Sequence, residues 1–341
     1  MSRTVVVHFL SKMVERFKSG VFMSSTFLIA GAGQIGSRHL QGLVKCKFGL
    51  QIVVFDPSPA ALATAKFRWE EAGGKGSKHT VRWLEKFPSD LQSVDVAFIT
   101  SSSRGRTNLV ETISNLANIR YWILEKVLAQ SGDELKRMES ALTGCDGAWV
   151  NKPRRMMNWH RSLKRLFTNA GPFNVDYSAG LWGLACNSIH FIDLVSWWSD
   201  EVLISVDSNA LDCHWYESKR HGFYEITGEL VCRFSSGSVL KLRSEKEASP
   251  GLIQVECNDG EVWNIDEARG IAKNSDSTRS DGCVELQSDL SGRLADEILQ
   301  TGACNLPTFV ESAAMHSIFL DALLAHWNRS TLRRDSLVPI T

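Results

Sequence analysis

The apolar pattern becomes regular from residue 26 onward. Thr26-Phe-Leu-Ile-Ala30 is a short apolar run ending directly in glycines, as expected of a strand buried on both faces of a parallel sheet. Amphipathic or alanine-rich stretches predict helices over 37–44, 59–72 and 107–116. Between them, further apolar runs predict strands over 51–55, 81–84, 94–100 and 121–124. Strands alternating with helices in this way argue an α/β fold, a Rossmann-type doubly wound parallel sheet.

The texture changes after Gly147. Helices are predicted over 159–168 and 187–198, separated by a strand over 173–177. Strand-like runs then follow closely, over 202–206, 224–234, 238–244, 252–257 and 261–265, with Asp-Gly and Ser-Gly turns between some of them. Helices over 290–301 and 310–326 close the chain. The expected architecture is a nucleotide-binding domain over 23–147 and an α+β domain over 148–335 whose sheet is mainly antiparallel. Residues 1–22, where Val5-Val-Val-His-Phe-Leu10 faintly imitates a signal peptide, are expected to stay outside the fold.

Length and composition narrow the function classes. At 341 residues the chain has room for two cores. Lys+Arg and Asp+Glu are equal at 38 each, so no basic stripe points to nucleic acid and a small-molecule partner is expected. The eight cysteines form no C-x-x-C pair, so no metal site is expected. Scattered cysteines in a chain of this size read as reduced and mostly buried, which fits a cytoplasmic location. No apolar run reaches the roughly 18 residues of a membrane span.

The glycines after the first strand carry the first chemistry. Gly31-Ala-Gly33-Gln34-Ile35-Gly36 follows a strand and opens a helix, and Asp56 stands at the end of the second strand. Gly31 allows the tight turn, Gly33 lets backbone approach a pyrophosphate, and Gly36 lets helix pack on strand. The N–H groups of the helix start then face the phosphates. Asp56 would accept from a ribose 2′-hydroxyl and repel a 2′-phosphate. NAD is therefore the expected cofactor, with NADP as the alternative.

Further motifs resemble the glucose–fructose oxidoreductase / inositol dehydrogenase (Gfo/Idh/MocA) family. They are Ile29–Leu40 with its G-x-G-x-I-G-x-x-H pattern, Val94-Asp-Val-Ala-Phe-Ile-Thr-Ser-Ser-Ser103, Glu125-Lys126, Ser188-Ile-His190-Phe-Ile-Asp193-Leu-Val-Ser-Trp197, and 306–316. The resemblance runs in order from about residue 26 to 328. It implies an NAD(P)-dependent oxidoreductase acting on a hydroxyl or keto carbon of a sugar, cyclitol or nucleotide sugar. It also implies a homo-oligomer built through the C-terminal sheet. Lys126 would sit beside nicotinamide and substrate hydroxyl, and His190 would complete the proton relay. Thr100, Ser101, Ser102, Arg106 and Glu125 join the glycines and Asp56 as expected cofactor contacts. The chemistry is coherent by itself, since oxidising an alcohol needs a base near the hydroxyl while hydride leaves the carbon.

Three departures stand out. Val127 replaces the proline of E-K-P, so a trans bond is expected there. Cys186 stands where the family often has an aspartate four residues before the histidine, and a thiol is a poor relay partner. The cofactor loop ends Ser103-Arg-Gly-Arg106, which makes Arg106 a candidate for cofactor phosphate or an anionic substrate. For the substrate, Asn151, Lys152, Arg154 and Arg155 form a basic cluster able to hold an anion. Trp182 would stack on a sugar face, with Asn187 nearby. Val127 and Cys186 also motivate the alternative of a nicotinamide-binding regulator or pseudoenzyme without turnover. A second alternative is a purely assembly-forming role for the C-terminal sheet.

Overall fold

The computed structural model describes residues 24–341 except 169, 248 and 277, so the expectation for residues 1–22 lies outside the described residues. Six strands form the first sheet: β1 (Ser25–Ala30), β2 (Leu50–Phe55), β3 (Thr80–Leu84), β4 (Ser93–Ile99), β5 (Asn118–Leu124) and β6 (Gly147–Val150). All are parallel, in the order β3-β2-β1-β4-β5-β6. Helices α1 (Gln34–Leu43), α2 (Pro59–Glu71), α3 (Arg106–Leu116) and α4 (Gly132–Ala141) connect them. Helices cover both faces, which is why Phe27, Leu28, Ile29 and Ala30 are all fully buried and the strand reads as an unbroken apolar run. The strand order reverses between β1 and β4. Such a switch opens a crevice at the carboxyl ends of the strands, where the glycine loop lies.

The second half carries α5 (Asn158–Phe167), β7 (Asn174–Gly180) and α6 (Leu184–Ser199). They are followed by β8 (Leu203–Asp207), β9 (Tyr216–Glu217), β10 (Tyr224–Glu225), β11 (Gly228–Phe234), β12 (Val239–Glu245) and β13 (Leu252–Glu256). Next come β14 (Val262–Asp266), β15 (Ile271–Asn274) and β16 (Arg279–Asp281), then α7 (Gln287–Thr301) and α8 (Phe309–Thr331). Eight of these strands form a sheet in the order β16-β15-β14-β13-β7-β12-β11-β8, antiparallel except for β7 beside β12. Alternation sets its two faces: Leu240, Leu242 and Ser244 of β12 point inward, while Lys241, Arg243 and Glu245 point out. β9 and β10 form a separate hairpin.

Several expectations need correction. The boundary at 147 falls on the first residue of β6, which still belongs to the first sheet. The run over 224–234 is two strands, because Gly228 turns the chain at φ 106°. Helix α4 was not anticipated from its mostly polar residues, yet Ser131 caps it and Leu135 and Met138 anchor it. The fold also continues past 335. Val338 and Ile340 are fully buried. The tail pairs with Gln130 through Val338 N–H and with Tyr224 N–H through the Pro339 carbonyl.

The two halves are interlocked. Helix α7 returns to pack on α1 through glycines: a Cβ on Gly42 would stand 2.8 Å from Ser291 Cβ, and one on Gly292 would stand 2.6 Å from the Gly42 carbonyl oxygen. Among the described residues no helix is long and apolar enough to cross a membrane. All eight cysteines are free thiols; Cys46, Cys232 and Cys257 are buried, whereas Cys213 and Cys283 are exposed.

Candidate functional site

The glycine loop adopts the geometry its residues require. Gly31 sits at φ 108°, a left-handed value that glycine reaches without strain. A Cβ on Gly36 would lie 1.9 Å from the Gly31 carbonyl oxygen, so this turn of α1 can approach β1 only with glycine. Gly33 differs, because nothing lies within 4 Å of the place its Cβ would take. That open side adjoins the start of α1, which has no side-chain cap and no acid in its first turn. Uncapped N–H groups at a helix start are a ready anion site.

Asp56, just past β2, binds the loop itself: its carboxylate accepts from Ala32 N–H at 2.7 Å and from Ser58 N–H at 2.8 Å. Each oxygen keeps a lone pair for a further donor. Gln34 and Ile35 lie in the first turn of α1, and Gln34 Oε1 accepts from Arg68 at 2.8 Å. Across the switch point Thr100 donates to the Gly31 carbonyl at 2.6 Å. The Ser101 hydroxyl is buried with no hydrogen-bond partner among the described residues, and Ser102 is partly exposed beside it. An open cradle, an uncapped helix start and an orphaned hydroxyl together fit a bound dinucleotide.

Arg106 does not belong to that set. It is 1 % exposed, and its guanidinium donates inward to the carbonyls of Ser101, Glu125, Val127 and Leu128. Burial lowers its pKa to about 10. The expected phosphate or substrate contact is therefore corrected: this arginine gathers the backbone of two loops. Among the carbonyls it holds are those on either side of the Lys126–Val127 peptide, which is cis rather than trans.

Glu125 is buried, and its Oε1 takes Asn151 Nδ2 at 2.5 Å and His39 Nε2 at 3.0 Å. His39 continues to Ser291 on α7 at 2.9 Å, so this acid ties the first sheet to both α1 and α7. Lys126, next in the chain, points across to α6. Its ammonium donates to the Cys186 carbonyl at 3.2 Å and to Asn187 Oδ1 at 3.0 Å. One turn further along α6 stands His190, partly buried, with no hydrogen bond to another described residue. Burial and the charges of Lys126, Arg154 and Lys152 hold its imidazole well below the usual histidine range. It is therefore held in the neutral form. Burial pushes the Cys186 thiol up to about 12, which leaves it inert.

The basic cluster turns out to be largely self-compensated. Arg155 forms a two-point pair with Asp193 at 2.8 and 3.0 Å. Arg154 forms one with Glu267 at 2.6 and 2.7 Å. Burial alone would raise the Glu267 carboxyl, but Arg154 and His160 hold it far below its usual range. These forks do not stand open to an anion as the sequence reading expected, because acids remote in sequence already occupy them. Trp182 donates to the Arg243 carbonyl at 2.9 Å and packs edge-on against Tyr177 and Phe191, so one edge of its ring is committed to packing. Asn187 does reach the site, through Lys126.

Two residues carry more than the sequence suggested. Lys152 is 1 % exposed, and its ammonium has no hydrogen-bond partner among the described residues, with Asp193 Oδ1 3.8 Å away. Burial lowers its pKa to about 8. Glu225, on β10, accepts from Ala185 and Cys186 N–H at 2.8 and 3.2 Å. Neither signal was visible locally, since each partner lies far along the chain.

No protein-family model and no curated protein matches this sequence. Solved structures do. An oxidoreductase from Agrobacterium radiobacter, in complex with NAD+, L-tartaric acid and magnesium, superposes with a TM-score of 0.66 at 13% identity, over 90% of this chain and 97% of that one. A Gfo/Idh/MocA family oxidoreductase from Vibrio cholerae gives 0.64 at 15% identity, over 91% and 100% of the two chains. Myo-inositol dehydrogenase from Lactobacillus casei, in complex with NAD(H) and myo-inositol, gives 0.63 at 17% identity, over 92% and 96%. At these identities the likeness is one of architecture: the chain is built on the two-domain fold of the Gfo/Idh/MocA oxidoreductases.

Proposed function

We propose that this protein is an NAD-dependent oxidoreductase that moves hydride between nicotinamide and a hydroxyl or keto carbon of a sugar-like substrate. The observation that carries the reading is the placement of Lys126. It leaves the end of β5 beside the dinucleotide cradle and is held at 3.0 Å by Asn187, one helical turn from a neutral His190. The Agrobacterium and Lactobacillus neighbours, described with NAD+ or NAD(H) and a small polyhydroxylated molecule, support the same reading.

Bound nicotinamide would supply the hydride acceptor or donor. The chain's own residues do the rest. The glycine loop and the start of α1 hold the pyrophosphate, and Asp56 holds the ribose, which favours NAD over NADP. As the neutral amine, Lys126 would spend its two N–H groups on the Cys186 carbonyl and Asn187 Oδ1 and turn its lone pair to the substrate hydroxyl. As hydride leaves the carbon, the lysine takes the hydroxyl proton and His190 relays it; in reduction the same path runs backward. The substrate would lie between α6 and the first sheet, with Trp182 at its edge. A cytoplasmic location and assembly of copies through the outer face of the second sheet belong to the same proposal.

A direct test is titration with NAD and NADP followed by a screen of myo-inositol, L-tartrate and nucleotide sugars, reading the absorbance of reduced nicotinamide. NAD binding with turnover of a polyol or sugar is the expected result. Binding without turnover of any of them would favour a regulator or pseudoenzyme. Full turnover in Lys126→Ala would overturn the proton-transfer assignment.

A further inference from the structure

Helix α6 begins without a cap of its own. Its N-cap is Gly183, at φ 80°, which has no side chain to offer. The exposed amides of its first turn are instead taken by a carboxylate from elsewhere, Glu225 of the β9–β10 hairpin, at 2.8 Å from Ala185 N and 3.2 Å from Cys186 N. The Cys186 residue whose N–H meets Glu225 presents its carbonyl to Lys126 at 3.2 Å, and Asn187 follows at 3.0 Å. One short stretch of backbone thus lies between a buried carboxylate and the ammonium, with His190 a turn beyond.

The surroundings act on Glu225 in opposite directions. Glu225 is 6 % exposed, and it faces the positive end of α6. Burial raises its carboxyl above the usual range, opposed by the two amides, the Cys186 side chain and the Lys126 charge. The other ionisable groups near it are the Tyr216 phenol of β9, raised by burial and by the Glu225 charge, and Arg220 at the hairpin turn, whose charge reaches Cys186.

We infer that Glu225 is a positioning residue for the proton-transfer pair: its carboxylate fixes the first turn of α6, and through Cys186 and Asn187 it aims Lys126. This rests on the functional reading of Lys126 and His190 given above. It also gives the chain a carboxylate in a place where position 186 supplies only a thiol.

The test reads Lys126 without turnover. The full chain is acylated with acetic anhydride, and modification of Lys126 is scored by mass spectrometry against the exposed Lys241. Loss of the carboxylate that fixes the first turn of α6 loosens both acceptors of Lys126, so Glu225→Gln should raise the Lys126 ratio about tenfold. Glu225→Asp should stay near the original. In the unaltered chain the ratio should climb as pH falls through the titration of Glu225, and in Glu225→Gln it should be flat. A cap that held α6 without reaching Lys126 would leave the Lys126 ratio unchanged in both proteins, and identical ratios and courses in the two would overturn the inference. Should Glu225→Gln fail to fold, hydrogen exchange in the unaltered chain decides: protection of the Ala185 and Cys186 amides should drop through the same titration, and constant protection would overturn it. A failed substrate search would count against the proposed reaction alone.

Discussion

Lys126 and Asn187 meet across the two halves of the molecule, the ammonium of one donating to the amide oxygen of the other at 3.0 Å. The lysine follows the fifth strand of the parallel sheet, while the asparagine sits in the first turn of α6. This contact makes the relative setting of the halves part of the chemistry. Lys126→Ala should lower hydride transfer by about 10²–10⁴-fold, the range for a lost general base, with NAD affinity nearly unchanged. Asn187→Ala should be milder, about tenfold, as expected for one lost hydrogen bond to a charged donor. Steady-state kinetics beside a binding titration separates the two effects.

The proposed function gives Asp56 the nucleotide end. Asp56→Ala removes the acceptor for Ala32 and Ser58 N–H as well as the proposed ribose contact. NAD affinity should fall about tenfold or more, while NADP affinity falls less because a repelling carboxylate has gone. Fluorescence titration with both nucleotides checks this; an equal loss for each would contradict it.

Arg106 should behave as a stability residue. Arg106→Leu strands several buried carbonyls at once, and the expected cost is about 3–5 kcal/mol, visible as a large fall in melting temperature. A variant that folded normally and lost only cofactor phosphate binding would show the original sequence expectation to be right.

Two buried histidines and a partly buried one predict an acid-sensitive fold. Burial holds His160, His190 and His316 below the usual histidine range. His316 Nε2 accepts from Leu128 N–H at 3.2 Å while Nδ1 donates to the Ser312 carbonyl at 2.8 Å, so a second proton would oppose the Leu128 bond. With folded values depressed, the unfolded chain binds more protons as pH falls below about 6.5, and stability drops from there toward the lowered values. Each unit of depression is worth about 1.4 kcal/mol. Denaturant melts across that range should show the decline, and His316→Gln should make it shallower.

How much of this was legible in the sequence depends on whether the signal was local. The strand–glycine–helix start and Asp56 follow from short-range chemistry, and the structure places them together around one loop. The alternation of strands and helices likewise announced the parallel sheet. Arg106 misled because a charged residue in a cofactor loop reads as exposed, and only the tertiary fold brings four carbonyls around it. Arg154 and Arg155 looked free because their acids, Glu267 and Asp193, lie 113 and 38 residues away. Glu225 escaped for the same reason, standing 39 residues beyond the amide of Cys186. Helix α4 is the exception. The Ser131-x-x-Glu134 spacing was present in the sequence and marks a helix start.

The tail ties the loop after β4 to the order of synthesis. Ser103 donates its hydroxyl to the Ile340 carbonyl at 2.5 Å, and its N–H to the Thr341 hydroxyl at 3.0 Å. The loop after β4, made early in synthesis, gains these two bonds only when residues 340 and 341 have followed. Until then Ser103 has neither anchor.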